Sequence, residues 1–223
     1  MTAASAPPRT LTLLHTAPAN LETFDRLLAE LAPEIEAKHV LASHLLDEAR
    51  ATGITRDLRA RVGEAVSTAV DNGAAVVLCT CSTIGDCAEG ASLPAGTAVL
   101  RVDRAMAEAA VAIGGTIGVA AALESTLAPT EDLLRQVADV ARTPVTLHRI
   151  LCTEAWPLFE AGDRDGFLAA VADAVRAGAA DCGVVVLAQA SMAGAADLLG
   201  DLPVPVLSSP RLGLQAALAL LNG

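Results

Sequence analysis

The chain has 223 residues, enough for one large domain or two small lobes with separate cores, and 53% of them are hydrophobic although only 2% are aromatic. With 15 Lys and Arg against 26 Asp and Glu, the net charge is −11. There is no basic run and no aromatic platform, which excludes nucleic-acid binding. An interior of Ala, Val, Leu and Ile suits short parallel strands covered by Ala-rich helices.

In chain order, Met1–Arg9 reads as a tail rather than a signal peptide, because it lacks a charged start followed by an apolar core. Thr10–His15 reads as a buried strand and Asn20–Leu31 as an amphipathic helix. Ala37–Ala42 follows as a second strand, Ser43–Ala51 as a short helical segment, and Thr55–Asn72 as a helix with Thr55 at its N-cap. Ala74–Cys79 is the third strand and Thr97–Val102 the fourth; Asp103 is expected to cap a helix running to Ile113.

The alternation then restarts. Strands are expected at Thr116–Ala121, Val145–Leu151, Gly183–Ala188 and Val204–Leu207, with helices near Pro129–Arg142, Asp163–Ala177 and Pro210–Leu221. Strands alternating with helices of about 10–15 residues imply parallel sheets with crossover helices. The stretches Met106–Leu123 and Gly183–Leu199 are apolar, but polar residues and glycines interrupt both, so neither reads as a membrane span. The chain is expected to be cytoplasmic.

An internal echo supports two lobes. Val76-Val77-Leu78 leads into Cys79-Thr80-Cys81-Ser82, and Val184-Val185-Val186-Leu187 leads into Ala188-Gln189-Ala190-Ser191. Each is followed by a Leu-Pro turn, a short strand and an Ala-rich helix. The expected architecture is α/β: two pseudo-symmetric lobes, each a mainly parallel sheet flanked by helices, with the active site between them. Residues 1–102 plus 205–223 form the first lobe and 103–204 the second.

In open parallel sheets, ligands bind beyond the carboxyl ends of the strands. Here those positions hold His15-Thr16, Cys79 to Thr83, Glu124-Ser125-Thr126, Cys152-Thr153, Gln189-Ala190-Ser191 and Ser208-Ser209, a set rich in hydroxyls and thiols. Helix-start N–H groups and these hydroxyls suit a carboxylate ligand. Cys81 falls on a strand-to-helix turn, where a helix N-terminus favours an anionic sulfur that can act as base or nucleophile. His15, at the end of the first strand, is an acid–base or donor candidate. Five cysteines form no disulfide framework, the four histidines have no metal-ligand spacing, and no Gly-x-Gly-x-x-Gly or phosphate loop occurs. No metal is expected.

At these loops the sequence resembles the aspartate/glutamate/hydantoin racemase superfamily. The specific parts are Val76-Val77-Leu78-Cys79-Thr80-Cys81-Ser82-Thr83 and Val186-Leu187-Ala188-Gln189-Ala190-Ser191-Met192. The resemblance implies two α/β lobes, with one cysteine from each on opposite sides of a substrate α-carbon and no cofactor. Cys81 looks like the first thiol, with Cys79 as an alternative frame, and Gln189 stands where the second is found. Glutamine has no proton to exchange, so two-thiol racemisation looks disabled unless His15 or Cys152 substitutes.

Single-thiol relatives, such as arylmalonate decarboxylase, and maleate isomerase with its nucleophilic first-lobe thiol, offer the comparison. The resemblance therefore implies an isomerase or racemase acting beside the carboxylate of a small acid or amino acid, with a decarboxylase or a non-catalytic binding protein as alternatives. Cys81, Gln189 and His15 would be catalytic. Thr16, Ser82, Thr83, Ser125, Thr126, Ala190 and Ser191 would hold the substrate. The Ala-rich helices leave room for a homodimer.

Overall fold

The structure is a computed structural model and describes residues 10–222, so the Met1–Arg9 tail lies outside the described residues. Its first half contains strands β1 (Thr10–His15), β2 (Ala37–Leu41), β3 (Ala74–Cys79) and β4 (Ala98–Arg101). They form a parallel sheet in the order β2-β1-β3-β4. The second half contains β5 (Gly115–Ala121), β6 (Val145–Leu151), β7 (Val184–Leu187) and β8 (Val206–Ser208), in the equivalent order β6-β5-β7-β8. The internal echo thus corresponds to two sheets of the same topology.

The central strands are apolar on both faces, because helices cover both sides of each sheet. In the first lobe, Leu11 and Leu13 of β1 and Val76 and Leu78 of β3 pack on one side. They meet α1 (Ala19–Leu31) and α10 (Ser209–Asn222) there. Leu14, Val77 and Cys79 pack on the other side, against α2 (Ser43–Thr52), α3 (Arg56–Asp71) and α4 (Ser82–Glu89). In the second lobe, Ile117, Val119, Val184 and Val186 face α5 (Arg104–Ile113) and α6 (Glu124–Ala141). Ala120, Val185 and Leu187 face α7 (Ala155–Glu160), α8 (Arg164–Gly178) and α9 (Ala195–Leu198).

Local signals place several ends as expected. The Thr55 hydroxyl accepts from the Leu58 N–H at 3.1 Å, and the Asp163 carboxylate accepts from the Gly166 N–H at 2.9 Å. Asp103 stands at the N-cap of α5 but caps nothing with its side chain, because Arg101 takes its carboxylate.

Two expected elements move. α6 begins at Glu124 and holds Pro129 inside it, whereas the helix was expected near Pro129–Arg142. The last strand starts at Val206 rather than Val204. Pro203 and Pro205 lack an N–H for the ladder, although the Pro205 carbonyl accepts from Val185 N at 2.9 Å. Because β8 pairs with β7, the chain returns to the first lobe after Ser208 and not before residue 205. No described helix is long and apolar enough to cross a membrane.

The returning helix α10 lies so close to the end of β4 that a Cβ on Gly213 would sit 2.4 Å from the Val102 carbonyl oxygen. That neighbour is backbone and cannot rotate away. Gly213→Ala is therefore expected to cost about 1–3 kcal/mol of stability, read as a lower urea midpoint at unchanged slope.

Candidate active site

The strand ends of the two sheets meet at a cavity of about 90 Å³. Cys81, Ser82 and Thr83 line it from the first lobe, and Ala188, Gln189, Ala190 and Ser191 from the second. Thr16, Ser125 and Thr126 complete the set of expected wall residues. The turns carrying Cys81 and Gln189 are tied directly: the Ser82 hydroxyl donates to the Ala188 carbonyl at 3.2 Å.

Cys81 follows β3 and occupies the N-cap position of α4, with no side chain capping that helix. The leading N–H groups of α4 therefore lack intrahelical partners at the cavity wall. The residue is 8% exposed and lines the cavity. Cys79, two residues earlier within β3, is fully buried in the α2–α4 core; its thiol lies 3.7 Å from the Cys81 carbonyl, and burial pushes its pKa far up. Cys81 packs on the same core but lies beyond the strand end, and it is the thiol that reaches the cavity.

Arg101 holds this turn from behind. Its guanidinium donates to both Asp103 oxygens, at 2.6 and 2.9 Å, and to the Ser82 carbonyl at 3.2 Å, with Arg101 and Asp103 both buried. Gly85 makes room for it, since a Cβ there would lie 2.8 Å from the Arg101 Cβ.

Gln189 fills the opposite wall in a defined orientation. Its Oε1 accepts from the backbone N–H groups of Ala122, at 2.7 Å, and Leu123, at 3.1 Å, just before α6. Two donors on one atom identify it as the oxygen, so the amide nitrogen is the end left for the cavity.

Three expectations need correction. His15 does not line the cavity; it is fully buried behind Thr80, its Nδ1 2.9 Å from the Thr80 Oγ1. Burial, aided by the neighbouring His39, lowers its pKa to about 4, so it is neutral near pH 7. Cys152 is also buried away from the cavity, with its pKa raised to about 11 by burial, and cannot replace a second thiol. The Ser82 hydroxyl spends its proton on Ala188 and is a tie between lobes, not a free donor. The hydroxyls of Thr16, Thr83, Ser125, Thr126 and Ser191 remain, each without a side-chain hydrogen bond among the described residues.

Other wall residues had no signal beyond strand ends. Asn20 and Thr80 join the polar wall. Leu46, Leu123, Trp156 and Phe159 form an apolar one, and Arg50 stands at the rim with its guanidinium carbon 5.1 Å above the Trp156 ring. Trp156 and Phe159 stack at 4.9 Å. Two of the chain's four aromatic residues at one small cavity is a usable clue. The wall contains one cation and no carboxylate. The described residues hold no cluster of three or more metal-ligating side chains.

The sequence matches no family model and no curated protein. Solved structures do match. Aspartate racemase from Picrophilus torridus superposes with a TM-score of 0.70 at 12% identity, covering 96% of this chain and 93% of that one. Allantoin racemase from Klebsiella pneumoniae gives 0.63 at 20%, covering 96% and 88%. A glycine-to-cysteine variant of arylmalonate decarboxylase, in its sulfate-associated form, gives 0.56 at 15%, covering 96% and 94%. The likeness is one of fold: the same two-lobe α/β architecture is found in these racemases and in the decarboxylase.

Two outcomes follow from this geometry. Iodoacetamide on the native protein is expected to alkylate Cys81 at least tenfold faster than any of the other four cysteines, read by peptide mass mapping; equal labelling would contradict the placement. His15 binds its proton more readily unfolded than folded. Its contribution to stability is therefore present above about pH 6.5 and lost as pH falls to about 4, by about 3 kcal/mol at most. Urea unfolding of His15→Asn is expected to show a shallower fall over that window than the unaltered chain.

Proposed function

We propose that this chain is a cofactor-independent acid–base enzyme of the isomerase or racemase type. It would act at the carbon beside the carboxylate of a small acid, with Cys81 as its proton-carrying group. The observation that supports the reading is that the described cavity wall holds one thiol, Cys81, and no carboxylate or imidazole beside it. Arg50 is the one charged side chain of that wall.

Arg50 and the free hydroxyls suit a carboxylate. With no acidic side chain to receive an ammonium group, the wall favours a carboxylic acid without an α-amino group over a zwitterionic amino acid. Leu46, Leu123, Trp156 and Phe159 favour an apolar substituent. As thiolate, Cys81 takes the proton from the carbon beside the carboxylate, and the electron pair moves into the carboxylate to give an enediolate. The Gln189 amide N–H and nearby hydroxyls donate to its oxygens. The same thiol returns the proton on its own face, at that carbon or at a conjugated one. Transfer to the opposite face would need a second acid, and the Gln189 side offers none.

A second reading is decarboxylation of a malonate-type acid, favoured by the same shortage. Loss of carbon dioxide creates the enediolate without a base, and Cys81 then need only deliver one proton.

The assays separate the readings. On a panel of α-aryl and α-alkyl carboxylates and malonates in deuterium oxide, the first reading expects solvent deuterium in the acid without gas release. The second expects carbon dioxide. Cys81→Ala should lower either by at least 10³-fold. Gln189→Glu keeps an oxygen on the Ala122 and Leu123 N–H groups but removes the amide donor. It is expected to lower kcat about 10²-fold with the urea midpoint unchanged. Tight binding with no turnover on any of the panel would make the protein a binder and reject both.

A further inference from the structure

Behind Cys81 runs a line of polar side chains that the proposed chemistry does not use. Thr80, at the cavity wall, has its Oγ1 2.9 Å from His15 Nδ1. His15 Nε2 is 3.0 Å from His39 Nδ1, and His39 Nε2 is 3.2 Å from an Asp25 oxygen. The two imidazoles lie within 19° of parallel. Solvent access rises outward along the line: His15 is 0% exposed, the His39 side chain 18% and the Asp25 side chain 67%.

The fold builds this line. His15 ends β1 on the face that packs against Phe24 of α1, with their rings 5.7 Å apart. His39 sits in β2 opposite Leu13, two residues before His15 and so on the same face of β1. Asp25 reaches His39 from the next residue of α1 after Phe24. Asn20 holds the inner end, with its amide nitrogen 3.3 Å from Thr80 Oγ1.

We propose that Thr80, His15, His39 and Asp25 form a proton relay between the Cys81 end of the cavity and bulk water. This rests on reading the cavity as a site of proton transfer. A neutral imidazole donates from one nitrogen and accepts at the other, so two imidazoles in nitrogen–nitrogen contact must hold matched tautomers, and a proton entering one end must leave at the other. In one state the Thr80 hydroxyl, which also lies within 3.3 Å of the Leu14 carbonyl, turns to donate to His15 Nδ1 at 2.9 Å, His15 Nε2–H donates to His39 Nδ1, and His39 Nε2–H to the Asp25 carboxylate.

A proton arriving on Thr80 Oγ1 from the cavity displaces the hydroxyl proton to His15 Nδ1. The His15 Nε2 proton then moves to His39 Nδ1, and the His39 Nε2 proton to Asp25, which loses it to water. One proton enters, one leaves, and both rings end neutral in the other tautomer. That state is poised for the reverse delivery, in which water protonates Asp25 and Thr80 passes its own proton inward. Uptake of solvent deuterium through a single thiol would use this traffic in both directions, and reloading that thiol after decarboxylation would use the inward one. Substrate filling the mouth would close the direct route to Cys81, which is 8% exposed, while the route through β1 and β2 stays open.

The test needs no substrate. The ring N–H of His15 has no solvent contact, and its exchange with water can be measured by NMR on the whole ¹⁵N-histidine-labelled protein. Exchange is expected to be at least tenfold slower in His39→Gln, which keeps hydrogen bonding but cannot change tautomer. In Asp25→Asn, an exposed substitution that should leave folding intact, it should slow several-fold, and His15 should shift its tautomer populations although Asp25 does not touch it. Exchange rates and His15 ring shifts unchanged in both variants would overturn the relay and make the line a structural one. Because the readout is taken without turnover, that result would leave the proposed activity of Cys81 standing. Loss of activity in the panel assays would likewise leave the exchange result intact.

Discussion

The site depends on how Ser82 is held. Its hydroxyl is bonded to the second lobe through Ala188, and its carbonyl is bonded to Arg101. Arg101 is buried and has to be paired, because an uncompensated charge there would cost several kcal/mol. Asp103 supplies the compensation with two hydrogen bonds and gives up its expected capping role to do so. The result is a satisfied polar network that fixes the residue after Cys81 relative to both sheets. Close approach of α4 makes it feasible, and only glycine at position 85 permits that approach.

The two walls of the cavity differ in chemistry although the two sheets have the same strand order. On one side a thiol sits at the start of a helix that nothing caps. On the other, Gln189 spends its oxygen on the N–H groups just before α6, where an anion might otherwise have been held, and leaves an amide nitrogen facing inward. The pseudo-symmetric frame is kept while the acid–base capacity is confined to one face. This asymmetry is what supports the proposed chemistry with one thiol over exchange between two. The wall contributed by α7 adds apolar surface where a free amino group would find no partner.

Much of this was legible in the residues themselves. Thr10–His15, Ala74–Cys79 and Val145–Leu151 are found with the expected limits, because each is rich in aliphatic and β-branched residues. The strand ends bearing Thr16, Cys81 to Thr83, Ser125-Thr126 and Gln189 to Ser191 do converge on one crevice, whereas Cys152-Thr153 and Ser208-Ser209 do not line it. Less was legible where side-chain choice depends on distant partners. Nothing near Asp103 says that Arg101 will claim it, and nothing near Pro129 says that the helix begins five residues earlier. Arg50, Trp156 and Phe159 lie on α2 and α7, far in sequence from the thiol turn, and only folding brings them to one cavity.

The sequence by itself determined the α/β class, the doubled lobe and the turn that carries the cavity-lining thiol, because periodicity, turn residues and small-residue runs act over a few positions. Tertiary structure alone decided which of Cys79, Cys81 and Cys152 meets the cavity, which end of the Gln189 amide faces inward, and that His15 stands behind the wall with His39 and Asp25. Those outcomes turn on burial and on hydrogen bonds between residues tens of positions apart, which no local pattern encodes.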